Sequence, residues 1–131
     1  MICFSNSPEE TLKIAENYAK SLKPNDVVLL CGDMGAGKTV FAKGVAKGLG
    51  ITETVVSPTY AYMNDYNGIL YHYDCYRLSD ASQAINLGLT DYFEAGGICL
   101  IEWSQNIKDA LPKNCKKVEI KVDGDKRIIT L

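Results

Sequence analysis

The sequence predicts an α/β fold, a mostly parallel central sheet flanked by helices with antiparallel hairpins added. Three observations predict it. Two continuous apolar runs, at residues 27–31 (Val-Val-Leu-Leu-Cys) and 98–101 (Ile-Cys-Leu-Ile), read as strands buried on both faces. Helical patterns lie between and beside them, and parallel strands need such crossovers. Asn67-Gly68 and Asp123-Gly124 each separate two strand-like segments, as hairpin turns do. The chain has 131 residues, 47% hydrophobic and 23% charged, which fits one domain over 1–131 with a core that needs no disulfide or metal staple.

Each element has a local reason. Residues 1–4 read as a short strand. Ser7-Pro8-Glu9-Glu10 is a capping box with proline at the first helical position, where its missing N–H costs nothing. The helix it opens carries Leu12, Ala15, Ala19 and Leu22 on one stripe and stops before Pro24. After the strand at 27–31 and a glycine-rich turn, a second helix spans 38–49 and closes at Gly50. Phe41, Val45 and Leu49 form its apolar stripe. Gly44 and Gly48 lie four apart beside that stripe, so this helix is expected to approach its sheet closely.

A hairpin follows, with arms at 60–66 and 69–76 around Asn67-Gly68. A polar helical stretch starts near Ser79, and a short one at 90–94 ends at Gly96-Gly97. The strand at 98–101 terminates in Glu102-Trp103. The tail alternates in polarity over 117–122 and 127–131, a second hairpin with one wet face.

Composition excludes several classes. A net charge of −2 gives no overall pull toward nucleic acid or anionic membrane. No apolar run approaches the roughly 18–20 residues of a membrane span, and Met1-Ile2-Cys3-Phe4-Ser5-Asn6 lacks the basic start of a secretory signal. The five cysteines (Cys3, Cys31, Cys75, Cys99, Cys115) include no Cys-x-x-Cys pair, which suits reduced, packed thiols in a cytoplasmic protein.

Gly32-Asp33-Met34-Gly35-Ala36-Gly37-Lys38-Thr39 is a complete G-x-x-x-x-G-K-[ST] phosphate loop. Its glycines let successive backbone N–H groups converge on phosphate oxygens, and the helix N-terminus behind adds partial positive charge. Lys38 is placed to reach the β- and γ-phosphates, and the Thr39 hydroxyl to ligate Mg²⁺. The pattern arises by chance in under about 1% of chains this long. A buried strand ends just before it and a helix starts inside it, which is the context a P-loop NTPase-like fold requires.

Magnesium needs a second, acidic partner from a neighbouring strand end. Glu102 stands where the strand at 98–101 stops, so it is the candidate, against the plainer reading of a solvated terminal carboxylate. In a strand, His72, Asp74 and Tyr76 share one face. His72 reads more readily as a core or cross-strand residue than as a base. Asp74 either orients the attacking water or sits behind the metal. Ser57-Pro58-Thr59 is placed either as a γ-phosphate sensor or as a plain turn. Trp103, the sole tryptophan, belongs either to the core or to the nucleotide site.

With those residues laid out, the chain resembles the TsaE (YjeE) family over about residues 25–112. The resemblance rests on the phosphate loop, Ser57-Pro58-Thr59, His72-x-Asp74-x-Tyr76-Arg77-Leu78, and Gly97-Ile98-Cys99-Leu100-Ile101-Glu102-Trp103. It implies an ATP–Mg²⁺ site with Lys38, Asp74 and Glu102 as catalytic residues and Thr39 and Glu102 on the metal. The nucleotide would lie along Gly32, Asp33, Met34, Gly35, Ala36, Gly37, Lys38, Thr39 and Val40, near Trp103. It implies a switch-like role for residues 57–59. It further implies a weak ATPase acting on a TsaB–TsaD-type protein complex in tRNA threonylcarbamoyladenosine formation. On that reading tRNA is met only indirectly, and neither DNA nor membrane is a partner. Val40 stands where the family commonly has a second Thr or Ser, a lost hydroxyl near the α-phosphate that would weaken affinity. Cys75 replaces a usual aliphatic residue.

Two other functions share the same loop. A small-molecule kinase would use it for phosphoryl transfer, but 131 residues leave little room for a lid and acceptor pocket. A module that binds nucleotide without hydrolysing it is the third. The absence of an N-K-x-D guanine-reading motif tilts the choice toward ATP.

Overall fold

Seven strands form one sheet in the computed structural model, which describes residues 1–33, 35–58 and 61–131. In chain order the elements are β1 (Ile2–Ser5), α1 (Pro8–Ala19), β2 (Val27–Gly32), α2 (Lys38–Gly48), β3 (Met63–Tyr66), β4 (Leu70–Asp74), α3 (Ala81–Asn86), β5 (Ile98–Glu102), β6 (Lys116–Asp123) and β7 (Lys126–Thr130). Two 3₁₀ segments, Leu89–Tyr92 and Ser104–Ala110, flank β5. The order across the sheet is β1-β7-β6-β2-β5-β4-β3. Pairs β4–β5, β5–β2 and β2–β6 are parallel, whereas β3–β4, β6–β7 and β7–β1 are antiparallel. Four parallel inner strands with antiparallel additions at both edges are the predicted class. The tail hairpin is part of that centre, because β6 pairs directly with β2.

The layers follow from side-chain alternation. One face buries Val28, Leu30, Leu70, Leu100, Val118, Ile120 and Ile129 beneath α1 and α2. The other buries Val27, Tyr71, Tyr73, Cys99 and Ile101 beneath α3 and the 3₁₀ segments. Leu29 and Cys31 keep partial exposure, so β2 is less enclosed than its sequence suggested; they line a shallow groove together with Ser104, Gln105 and Lys108 of the segment after β5.

Helix α1 begins as predicted. Ser7 Oγ accepts from Glu10 N at 3.1 Å, and Glu10 Oε2 accepts from Asn6 N at 3.0 Å, one residue earlier than a standard box. Ser7→Ala is expected to lower stability by about 1 kcal/mol, read as a lower urea midpoint. The helix ends at Ala19, earlier than Pro24 alone demands. Its buried stripe is Thr11, Ala15 and Ala19 rather than one containing Leu12, because small residues are what the contact with α2 accommodates.

That contact corrects the reading of Gly44 and Gly48. A Cβ on Gly44 would collide with the Leu12 carbonyl and lie 2.6 Å from Ala15 Cβ; one on Gly48 would lie 2.7 Å from Ala19 Cβ. The glycines therefore admit α1, and not the sheet. Phe41, Ala42, Val45 and Ala46 take the core-facing side of α2.

At the first hairpin, Asn67 and Gly68 adopt φ of 58° and 70°, and Ile69 N donates to Tyr66 O at 3.0 Å, the expected type I′ turn. Thr59 and Tyr60 lie outside the described residues. Strand β4 stops at Asp74, two residues short of the sequence reading. Cys75 N still reaches Glu102 O at 3.1 Å, and Leu78 N then donates to Cys75 O, so the chain turns there. The short helical stretch is the 3₁₀ segment Leu89–Tyr92, and the one at Ser104–Ala110 was not anticipated.

Candidate functional site

The end of β2 passes close against β6. A Cβ on Gly32 would lie 2.7 Å from the Ile120 carbonyl of β6, so only glycine lets the strand pass. Gly35 and Gly37 face open space, and their φ values of 83° and 101° are why they must be glycine. Ala36 N donates to Asp33 O at 3.0 Å, closing the bend, and Arg127 Nε of β7 donates to Ala36 O at 3.1 Å from behind. Helix α2 starts immediately afterwards with no side-chain cap and no acidic residue in its first turn. Its first N–H groups are thus left for an anion. Met34 lies outside the described residues.

A cavity of about 520 Å³ opens over this helix start. The loop side contributes Gly35, Gly37, Lys38, Thr39 and Val40; the strand side contributes Asp74, Glu102 and Trp103, with Ser57, Tyr76 and Arg77 at the rim. Asp74 and Glu102 are register partners at the carboxyl ends of parallel β4 and β5, which brings two carboxylates opposite one lysine. Asp74 Oδ1 accepts from Tyr76 N at 3.1 Å, and Ser57 Oγ lies 3.5 Å from Asp74 Oδ2.

Glu102 is 6% exposed and His72 is fully buried, with His72 Nε2 2.7 Å from Glu102 Oε2. His72 is therefore a cross-strand residue bound to the candidate carboxylate. Lys38 Nζ rests 4.4 Å from the centre of the Trp103 ring, a cation–π contact, and Tyr76 meets the indole edge-on at 4.9 Å. Trp103 thus belongs to both places left open by the sequence, since it packs on the second core and lines the cavity. Its backbone is left-handed, φ 57°, which turns the chain into the following 3₁₀ segment.

Of the loop residues, Gly32 and Asp33 lie at its base, and Ala36 faces a second cavity of about 270 Å³ behind the loop. Ser7, Gly35, Gly37, Val40 and Arg127 line that cavity too. Sequence reasoning missed the Arg127 contact, the Lys38–Trp103–Tyr76 stack and the role of His72 as the neighbour of Glu102. Only His72 had a signal, since it shares a strand face with Asp74. The described cysteines form no disulfide, and burial pushes the Cys75 and Cys99 thiols up to about 12 and about 11. Such thiols are packing groups rather than nucleophiles.

The family profile described as "Threonylcarbamoyl adenosine biosynthesis protein TsaE" matches residues 5–129. The chain belongs to the TsaE family. The TsaE protein of Bacillus subtilis is 49% identical over 91% of this chain and 76% of its own length. That of Treponema pallidum is 36% identical, with 98% of each chain covered. Both carry the name tRNA threonylcarbamoyladenosine biosynthesis protein TsaE. A crystal structure of Bacillus subtilis YdiB superposes with a TM-score of 0.84 at 41% identity, covering 98% of this chain and 82% of that one. Membership of the TsaE family places the chain in tRNA threonylcarbamoyladenosine biosynthesis. Among the described residues no helix is long and apolar enough to cross a membrane.

Proposed function

We propose that this TsaE-family chain is a P-loop ATPase of low intrinsic activity. It would support threonylcarbamoyl transfer to tRNA adenosine by acting on a TsaB–TsaD-type complex in the cytoplasm. One observation carries the reading: a single cavity collects Lys38, Thr39, Asp74 and Glu102 at the uncapped start of α2. The loop over residues 32–40 would wrap the phosphates with its amides. Lys38 would leave the Trp103 face for the β- and γ-phosphate oxygens, and Trp103 would remain as a wall beside the nucleotide.

The donor set fits Mg²⁺. Thr39 offers a hydroxyl and Glu102 a carboxylate, hard oxygens suited to magnesium. Thr39 and Glu102 would hold the ion together with phosphate oxygens, and when bound it would neutralise charge on the phosphates. Asp74, which also lines the cavity, would orient the attacking water or sit behind the metal, and its hydrogen bond with Ser57 would let the segment around Ser57 respond to the γ-phosphate.

Two measurements test the function. Phosphate release from ATP is expected to be slow for the chain alone and faster with the partner complex; no stimulation removes the partner-driven reading. Cells depleted of the protein are expected to lose threonylcarbamoyladenosine from their tRNA, and normal modification levels reject the assignment.

A further inference from the structure

We propose that His72 is a positioning residue for the Glu102 carboxylate, fixing which oxygen of that group remains available to a divalent cation. The inference rests on the reading of Glu102 as a metal ligand and deepens it. The geometry is specific. Strands β4 and β5 run parallel with His72 opposite Leu100 and Asp74 opposite Glu102, so His72 and Glu102 are diagonal neighbours on one face. His72 is wholly enclosed, and its Nε2 is 2.7 Å from Glu102 Oε2.

The other ring nitrogen, Nδ1, is buried without a hydrogen-bond partner among the described residues. The Glu102 carboxylate can only accept, so the nitrogen facing it must be the donor, and a proton on Nδ1 would have no acceptor. The proton therefore sits on Nε2 and is donated to Oε2, so one tautomer is selected by its surroundings. Turning Oε2 toward the cavity would break that bond to a ring that packing holds rigid, so Oε1 is the oxygen assigned to the cation. This inverts the usual second layer of a metal site, where a carboxylate orients a histidine ligand.

His72 is the sole histidine of the chain, so its ring nitrogens give one unambiguous ¹⁵N signal set. The expected spectrum of the folded protein shows Nε2 protonated and Nδ1 bare, with the Nε2 shift moving when Mg²⁺ is added to the ADP-bound protein. A protonated Nδ1 with bare Nε2 overturns the proposal. Separately, Mn²⁺ binding to the ADP complex can be followed by the loss of free-ion electron paramagnetic resonance. His72→Leu is expected to weaken Mn²⁺ binding about 10- to 100-fold while ADP affinity measured without metal stays within about twofold. His72→Gln keeps an N–H near the Nε2 position and is expected to recover most of that loss.

A folded Leu variant that binds Mn²⁺ like the parent, or a Gln variant as weak as the Leu variant, overturns the positioning role alone. If the parent complex binds no Mn²⁺ and ADP affinity ignores Lys38→Ala, the nucleotide reading itself fails and takes this inference with it. Should the Leu variant not fold, the tautomer and the Gln variant still decide.

Discussion

Lys38→Ala is expected to weaken binding of ATP·Mg²⁺ at least about 100-fold. Hydrogen bonds to charged groups contribute about 1.5–3 kcal/mol each, and every 1.4 kcal/mol is a factor of ten in affinity. In the structure Lys38 is 8% exposed and its cation lies over the Trp103 ring, inside the cavity and already largely stripped of water. Moving to a triphosphate therefore requires little further desolvation, and nothing else on α2's first turn supplies positive charge. The same substitution removes a cation–π contact and the packing of a buried lysine stem, so folding stability is expected to fall by about 1–2 kcal/mol. Calorimetry measures the affinity, and the lone tryptophan gives a second reading, since loss of the cation should alter its emission before any nucleotide is added. Unchanged affinity would remove the phosphate-loop assignment.

Gly44→Ala is expected to destabilise the fold by about 2 kcal/mol, lowering the thermal midpoint by about 4–10 °C. The direction runs against propensity, because Ala inside a helix is ordinarily about 1 kcal/mol better than Gly. Here the added methyl would meet the Leu12 backbone carbonyl and Ala15 Cβ, and a backbone neighbour cannot swing aside. Relief requires α1 and α2 to separate, which opens the packing around Ala15 and Ala19 along the whole contact. Gly44→Val should go further and leave little folded protein. A midpoint that rises in the Ala variant would show that the helices are free to shift, contrary to the geometry here.

Local chemistry made the phosphate loop and the two buried strands legible, because glycine positions and apolar runs report backbone conformation and burial directly. The spacing of Gly44 and Gly48 announced a close approach but carried no information about the approaching surface, and a helix took the place expected for the sheet. Tyr76 was placed on the His72 face by strict alternation; the strand ends at Asp74, and Tyr76 instead meets Trp103 from outside. Contacts between distant positions left no trace in the sequence. Glu102 and His72 are 30 positions apart, and Arg127 and Ala36 are 91 apart. Glu102 itself could be anticipated because a strand end beside a phosphate loop is where an acidic side chain is useful, whereas its buried neighbour is fixed only by register.

The bond from Arg127 to the Ala36 carbonyl bears on how the protein comes to exist. Strand β2 emerges early, yet both its neighbours, β5 and β6, belong to the last third of the chain, as does the arginine that props the loop. While a ribosome is still extending the polypeptide, the glycine segment has neither sheet around it nor support beneath it. Such non-local closure makes for slow folding. A nascent chain therefore carries the glycine-rich motif well before the strands that enclose its base, and the arginine beneath it, have been made.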